Sequence, residues 1–392
     1  MATTTTHGVL GRPGAALQAV SGLVAQLSQG AGAIGIVLVV REHTGSVAVA
    51  GAVAGATSIA AGLARPVQGR LMDRHGLTSL NVACGILHPA ALIAIVAVAV
   101  DDGSRALLLV LGALAGLALP PISTAMRVAW GEAAGDDDRT AAYSMVYLIQ
   151  ELSLLTGPLI FAALTATTSA ALGLVVIAAL SAAGTLAFAV SAGPVRADDS
   201  ADRQHRHHEG SLLRIGRMRL LLASACAIGG VIGGIQVGVP TLATAHHKPA
   251  AAGVLIAMLS IGGIIGAAVY GARRWDTDTS ARLLSLTGAL TVCAAVMVAA
   301  EGLVVVGLLL LLAGVALNPA LTTLSLLVDR LTAEPTAAEA FGWLSTGIAS
   351  GTGGAAAIAG VLVQHSHNAR PAFAVAAVAA ATAALLSLAL RR

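Results

Sequence analysis

Charge is scarce in this sequence. Asp, Glu, Lys and Arg make up 10% of its 392 residues, against about a quarter in soluble domains, which is too little to coat a water-soluble particle of this length. Aromatic residues are scarce as well, at 3%, which argues against a large aromatic cage for flat cations. The three cysteines, Cys84, Cys226 and Cys293, all lie in apolar stretches, and an odd number so placed fits packing rather than a disulfide framework or a metal site. The 22 basic and 19 acidic residues leave a formal charge of only +3, and the bases form no patch of the kind that binds nucleic acid. Nucleotide-binding loops, catalytic triads and metal-ligand spacings are missing, so no enzyme chemistry and no cofactor are expected.

What is present is apolar bulk: 57% hydrophobic residues, 45 glycines and a mean hydropathy of +0.86. A mixture of Ala, Leu, Val and Gly suits closely packed helices in lipid. Stretches free of Asp, Glu, Lys and Arg run 13–40, 43–64, 75–100, 106–126, 220–247, 249–272, 283–300, 302–328, 340–369 and 371–390. Each is near or above the roughly 20 residues that cross about 30 Å of hydrocarbon. The stretch 140–195 is interrupted only by Glu151 and is long enough for two crossings with a turn near 165–169. The expectation is therefore an all-α integral membrane protein of twelve transmembrane helices. Residues 1–14 are expected to be a disordered tail; the apolar run after it is longer than the core of a cleavable signal peptide.

Orientation follows from the basic residues. If the N-terminus is cytoplasmic, 18 of the 22 Lys and Arg fall on the inner side and only Arg41, Arg105, Lys248 and Arg370 on the outer, the bias that topology requires. This implies cytoplasmic termini in an inner (plasma) membrane. Trp130, Tyr143 and Trp275 fall at the inner ends of helices, where interfacial aromatics are expected. The polar stretch 193–217 divides the chain into six-helix bundles at 15–192 and 218–392. Its His205, His207 and His208 are set aside as a metal tract, because no Cys or paired carboxylate completes a ligand set. The halves echo each other: one helix ends in Val67-Gln68-Gly69-Arg70, another in Val269-Tyr270-Gly271-Ala272-Arg273-Arg274. Tandem repeats of this kind build many carriers around a midplane site.

Between the second and third spans the chain reads Gly69-Arg70-Leu71-Met72-Asp73-Arg74-His75-Gly76. This resembles the signature of the major facilitator superfamily at the loop where that family carries it, departing only after Gly76, where Leu77 and Thr78 replace basic residues. The resemblance extends over the whole chain through the twelve-helix plan and the long central loop. Gly69 permits a close helix approach and Gly76 a turn, and Asp73 is an anion able to meet the positive end of a helix. Pro335, Thr336 and Glu339 look like the start of the eleventh helix, with Thr336 and Glu339 in capping-box spacing. The resemblance implies that Asp73 latches an inner gate against that helix, with Arg127 as a candidate ionic neighbour. The competing reading is that these charges only set topology.

Glu151 is the acid placed deepest in a span, about 16 Å in at 1.5 Å per residue. An ionised carboxylate there is costly, so the group is expected to hold a proton near neutral pH and to act as the proton-coupling residue; the alternative is a structural glutamic acid bonded across helices. On a helix it shares a face with Ser144, Tyr147, Leu154 and Pro158. Gly157-Pro158 resembles the Gly-Pro pair of proton-driven exporters of the superfamily. The stretch from Glu151 to Pro158, with Glu339-Ala-Phe-Gly-Trp343, is similar to a group of actinobacterial exporters. Gln26, Gln29, Tyr147, Gln150, Gln236, Asn318 and Trp343 are candidates to line a cavity, each equally explained as an interhelical hydrogen-bond partner.

These expectations add up to a monomeric carrier in the lipid bilayer that expels a small organic compound in exchange for protons. A proton symporter or uncoupled facilitator is one competitor, and a non-transporting receptor or assembly subunit another.

Overall fold

The computed structural model describes residues 14–101, 103–135, 138–192, 215–332, 336–366 and 368–391. Residues 1–13 of the expected tail, 193–214 of the expected linker with its three histidines, and Pro335 lie outside the described residues.

Twelve helices are long and apolar enough to cross a membrane, and the described residues contain no strand. In chain order they are α1 Ala15–Thr44, α2 Val47–His75, α3 Leu77–Val100, α4 Arg105–Ala133, α5 Arg139–Thr167, α6 Ala170–Ser191, α7 Gly216–Ala245, α8 Ala251–Ala272, α9 Thr279–Ala299, α10 Leu303–Leu331, α11 Ala337–Ser366 and α12 Arg370–Leu390. Among the described residues, Ser46, Ser169 and Asp278 cap the helices they precede, accepting the amides of Val49, Leu172 and Ala281, which satisfies donors that a helix start leaves free. The outward faces carry bare aliphatics, with Val190 78% and Val304 77% exposed, as lipid-facing surfaces do.

Two helices are interrupted where the site will form. In α1 the backbone turns at Gln26, with φ −88° and ψ −1°. In α4 regular helix stops at Leu117 and resumes at Ile122, because Pro120 and Pro121 have no N–H to donate. The carbonyls this frees do not stay unpaired. Gln68 Nε2 donates to Leu117 O at 2.9 Å and Leu119 O at 3.0 Å, and Arg65 Nη1 donates to Leu119 O at 3.2 Å. A helix broken by prolines is thus stapled to α2.

Helices α1–α6 pack on one another, as do α7–α12, and the halves meet mainly where α2 and α4 touch α11 and where α5 touches α8 and α10. Glycines set the closest approaches. A Cβ on Gly314 of α10 would stand 2.7 Å from Gly263 N of α8, and one on Gly351 of α11 would stand 2.9 Å from Cys226 Cα of α7. The mid-span glycines therefore bring backbones into contact, as small residues do between membrane helices.

Candidate functional site

At one end of the molecule, called here the motif side, the loop between α2 and α3 meets the start of α11. Gly76, with φ 85° and ψ 157°, adopts a backbone open essentially to glycine alone, and this ends α2 so that Asp73 faces α11. Asp73 then accepts two backbone amides at once, Ala338 N at 3.0 Å and Glu339 N at 2.8 Å. Gly69 makes the approach possible: a Cβ there would collide with Ala338 O and stand 2.6 Å from Glu339 Cα. Arg70 Nε bonds Glu339 Oε1 at 2.7 Å, and Thr346 Oγ1 donates to Gly62 O at 2.8 Å further along the same seam.

The second seam repeats the arrangement with the halves exchanged. Gly271 near the end of α8 packs on α5, where an added Cβ would stand 2.7 Å from Ser144 Cβ. Arg139 Nη1 pairs with Asp329 Oδ2 at 2.6 Å, joining α5 to α10. Among the described residues, the hydrogen bonds and ion pairs between the halves lie on the motif side or near mid-depth, so the halves are locked together at that end.

Arg127 is not the ionic neighbour of Asp73. It is 3% exposed, and its guanidinium lies over the Tyr147 ring at 4.6 Å and 5.9 Å from the centre of the Phe341 ring. The α4 break turns this residue inward. Tyr143 and Trp130 are not interfacial anchors either. Tyr143 is fully buried with its ring edge-on to Phe341 at 5.7 Å, and Trp130 Nε1 donates to Gln18 Oε1 at 2.7 Å. Arg74 sits in the last turn of α2.

Above this aromatic layer, between the halves, is a cavity of about 500 Å³, within the range of small-molecule sites. Gln29, Tyr147, Gln150, Glu151, Gln236 and Asn318 line it, together with Leu154. Gln26 and Trp343 do not. Gln26, 1% exposed, sits behind Ser123, whose Oγ donates to Gln26 Oε1 at 2.6 Å, and Trp343 Nε1 donates to Glu339 Oε1 at 3.1 Å in the gate. Gly157 and Pro158 join α5 to α1 instead: a Cβ on Gly157 would stand 2.7 Å from Leu27 O, and one on Gly30 would stand 3.0 Å from Pro158 Cδ.

Glu151 lies near the middle of α5, and Ser260 of α8 and Asn318 of α10 face it from the other half. Glu151 makes no ion pair among the described residues. Asn318, 1% exposed, has an amide nitrogen without a partner. Tyr147 O–H and Ser325 Oγ share a hydrogen bond of 3.1 Å across the same interface. Sequence reasoning missed several polar contributors, Ser260, Arg65 and Ser123 among them. Arg65 lines the cavity from α2, although its place ten residues before the helix end was a signal that it lies deeper than a topology charge. Ser123 follows the Pro120-Pro121 pair, which itself announces the break that turns it inward.

Twelve apolar helices in two bundles, locked together at one end around a polar cavity, make a membrane carrier rather than an enzyme. The chain belongs to the Major Facilitator Superfamily, whose family model matches residues 19–351. No curated protein sequence matches it. Similar solved structures include a bacterial homologue of the iron transporter ferroportin in an outward-facing state, at TM-score 0.78 and 16% identity, covering 96% of this chain and 98% of that one. The human organic anion transporter MFSD10 (TETRAN) is similar at TM-score 0.73 and 15% identity, with 96% and 98% covered. The E. coli fucose:proton symporter FucP follows at 0.70 and 13%, with 97% and 98% covered. At these identities the likeness is one of fold.

Proposed function

We propose that this transporter exports a small organic compound in exchange for protons, by rocking its two bundles around the central cavity. The observation that carries the reading is the position of Glu151: a lone carboxyl in the cavity wall, on a helix of one bundle and faced by Ser260 and Asn318 of the other. Any relative motion of the bundles changes what surrounds it. A carboxyl in such a place is neutralised by a proton or by a ligand, since an unpaired buried charge is costly.

The motif side is the cytoplasmic side of a plasma membrane, supported by the distribution of Lys and Arg, and the carrier acts as a monomer. With the motif side latched, the cavity opens toward the outside, where substrate leaves and a proton enters. The likeness of the stretch Glu151 to Pro158 to actinobacterial exporters supports the outward direction of transport. Glu151→Gln is the direct test in proteoliposomes: efflux driven by an imposed pH gradient should fall to the level of protein-free vesicles. Undiminished gradient-driven efflux in the variant would remove Glu151 from the role, and substrate accumulating together with protons would replace exchange by symport.

A further inference from the structure

The exchange reading leaves the two arginines of the cavity unused. Arg65 from α2 and Arg127 from α4 line the same space as Glu151. Arg65 spends Nη1 on two neutral acceptors, Gln68 Oε1 and Leu119 O, each at 3.2 Å. These bonds brace the guanidinium and leave its other N–H groups without acceptors among the described residues. Arg127, buried and resting on the Tyr147 and Phe341 rings, likewise bonds no acceptor among the described residues, and its Nε is fully enclosed. The charged or titratable side chains lining the cavity are these two cations, Tyr147 and Glu151. Two cations against at most one anion, between apolar helices, leave the site short of negative charge. The poles are also separated. Arg127 stacks on Tyr147, and Glu151 follows one turn along α5, about 6 Å further on at 1.5 Å per residue.

We propose that the substrate is a small zwitterion, its carboxylate held by Arg65 and Arg127 and its ammonium by Glu151 beside Ser260 and Asn318. This rests on the exchange reading and gives it a cause. The ammonium and the proton compete for one carboxylate, so loading the substrate expels the proton to water and reprotonation releases the substrate. A simple cation would meet two arginines. A simple anion would favour a protonated Glu151, which is the logic of cotransport.

The test is thermal unfolding of the full-length protein in detergent with β-alanine, γ-aminobutyrate and δ-aminovalerate, each beside the matching amine and the matching carboxylate. An amino acid of this series should protect at roughly tenfold lower concentration than either single-charge analogue, the factor expected for one charge-assisted contact. Arg65→Gln should abolish that preference, and Glu151→Gln should make the amino acid no better than its carboxylate. Equal protection by the matching amine or carboxylate, or protection by no amino acid, overturns the proposal, and the wild-type series decides this even if an arginine variant fails to fold. The assay holds no pH gradient, so a failure of antiport would show in flux measurements while this protection persisted.

Discussion

The Asp73 carboxylate receives the backbone amide of Glu339 at 2.8 Å, so one acid is held by the main chain of another. The arrangement is stable because the first amides of a helix are unpaired and lie at the positive end of its dipole. The Glu339 side chain turns away to Arg70 and Trp343, which keeps the two carboxylates from opposing each other.

Replacing Asp73 by Asn removes the charge and one of the two acceptors. The lost charge-assisted bond is worth about 1.4 kcal/mol, a roughly tenfold shift toward conformers open on the motif side. Spin-label distances between the motif-side ends of α2 and α10 should lengthen in a larger fraction of molecules, and unchanged distributions would refute the latch.

Gly69→Ala should prevent motif-side closure altogether, because the new methyl would occupy the space of the Ala338 carbonyl. Gly55→Ala on the same helix meets nothing within 4 Å and should leave transport unchanged. Thiol labelling of a cysteine placed at Thr346 separates the two: faster labelling than in the parent is expected with Gly69→Ala only.

The architecture was legible because membrane physics writes it in long stretches: charge-free runs gave the helices, while the contact of Asp73 with α11 came from the resemblance of the Gly69-to-Gly76 stretch to the superfamily signature. The cavity was only half legible. Glu151 stood out as an acid where acids are costly, but Arg65 and Arg127 look like topology charges until helix packing places both in the cavity wall. Trp343 was misread as a cavity residue because a sequence does not say which side of the Glu339 turn its ring takes. Tyr143 and Trp130 have the composition of interfacial anchors, and only packing against Phe341 and Gln18 shows that they are buried.

Gln68→Leu should destabilise the fold by about 1 kcal/mol, the cost of leaving a partly buried carbonyl without its donor. The carbonyl concerned is that of Leu117, since Leu119 O keeps the bond from Arg65 Nη1. Thermal unfolding in detergent checks this; a midpoint equal to that of the parent would mean that another donor takes over.

Gly351→Ala should cost about 1 to 3 kcal/mol through overpacking, since its methyl would overlap the backbone of Cys226 on α7. Gly353→Ala, two residues on, meets nothing within 4 Å and serves as the neutral control in the same melting experiment.

Where Gly263 faces Gly314 and Gly351 faces Cys226, main chain lies against main chain with no side chain between. Such a joint has no spare rotamers to rearrange, so it yields to pressure from its surroundings only by moving as a block. Lipids of different chain length would then be accommodated by tilting whole bundles, and turnover in thicker or thinner membranes should change in rate before any loss of folded protein is detected.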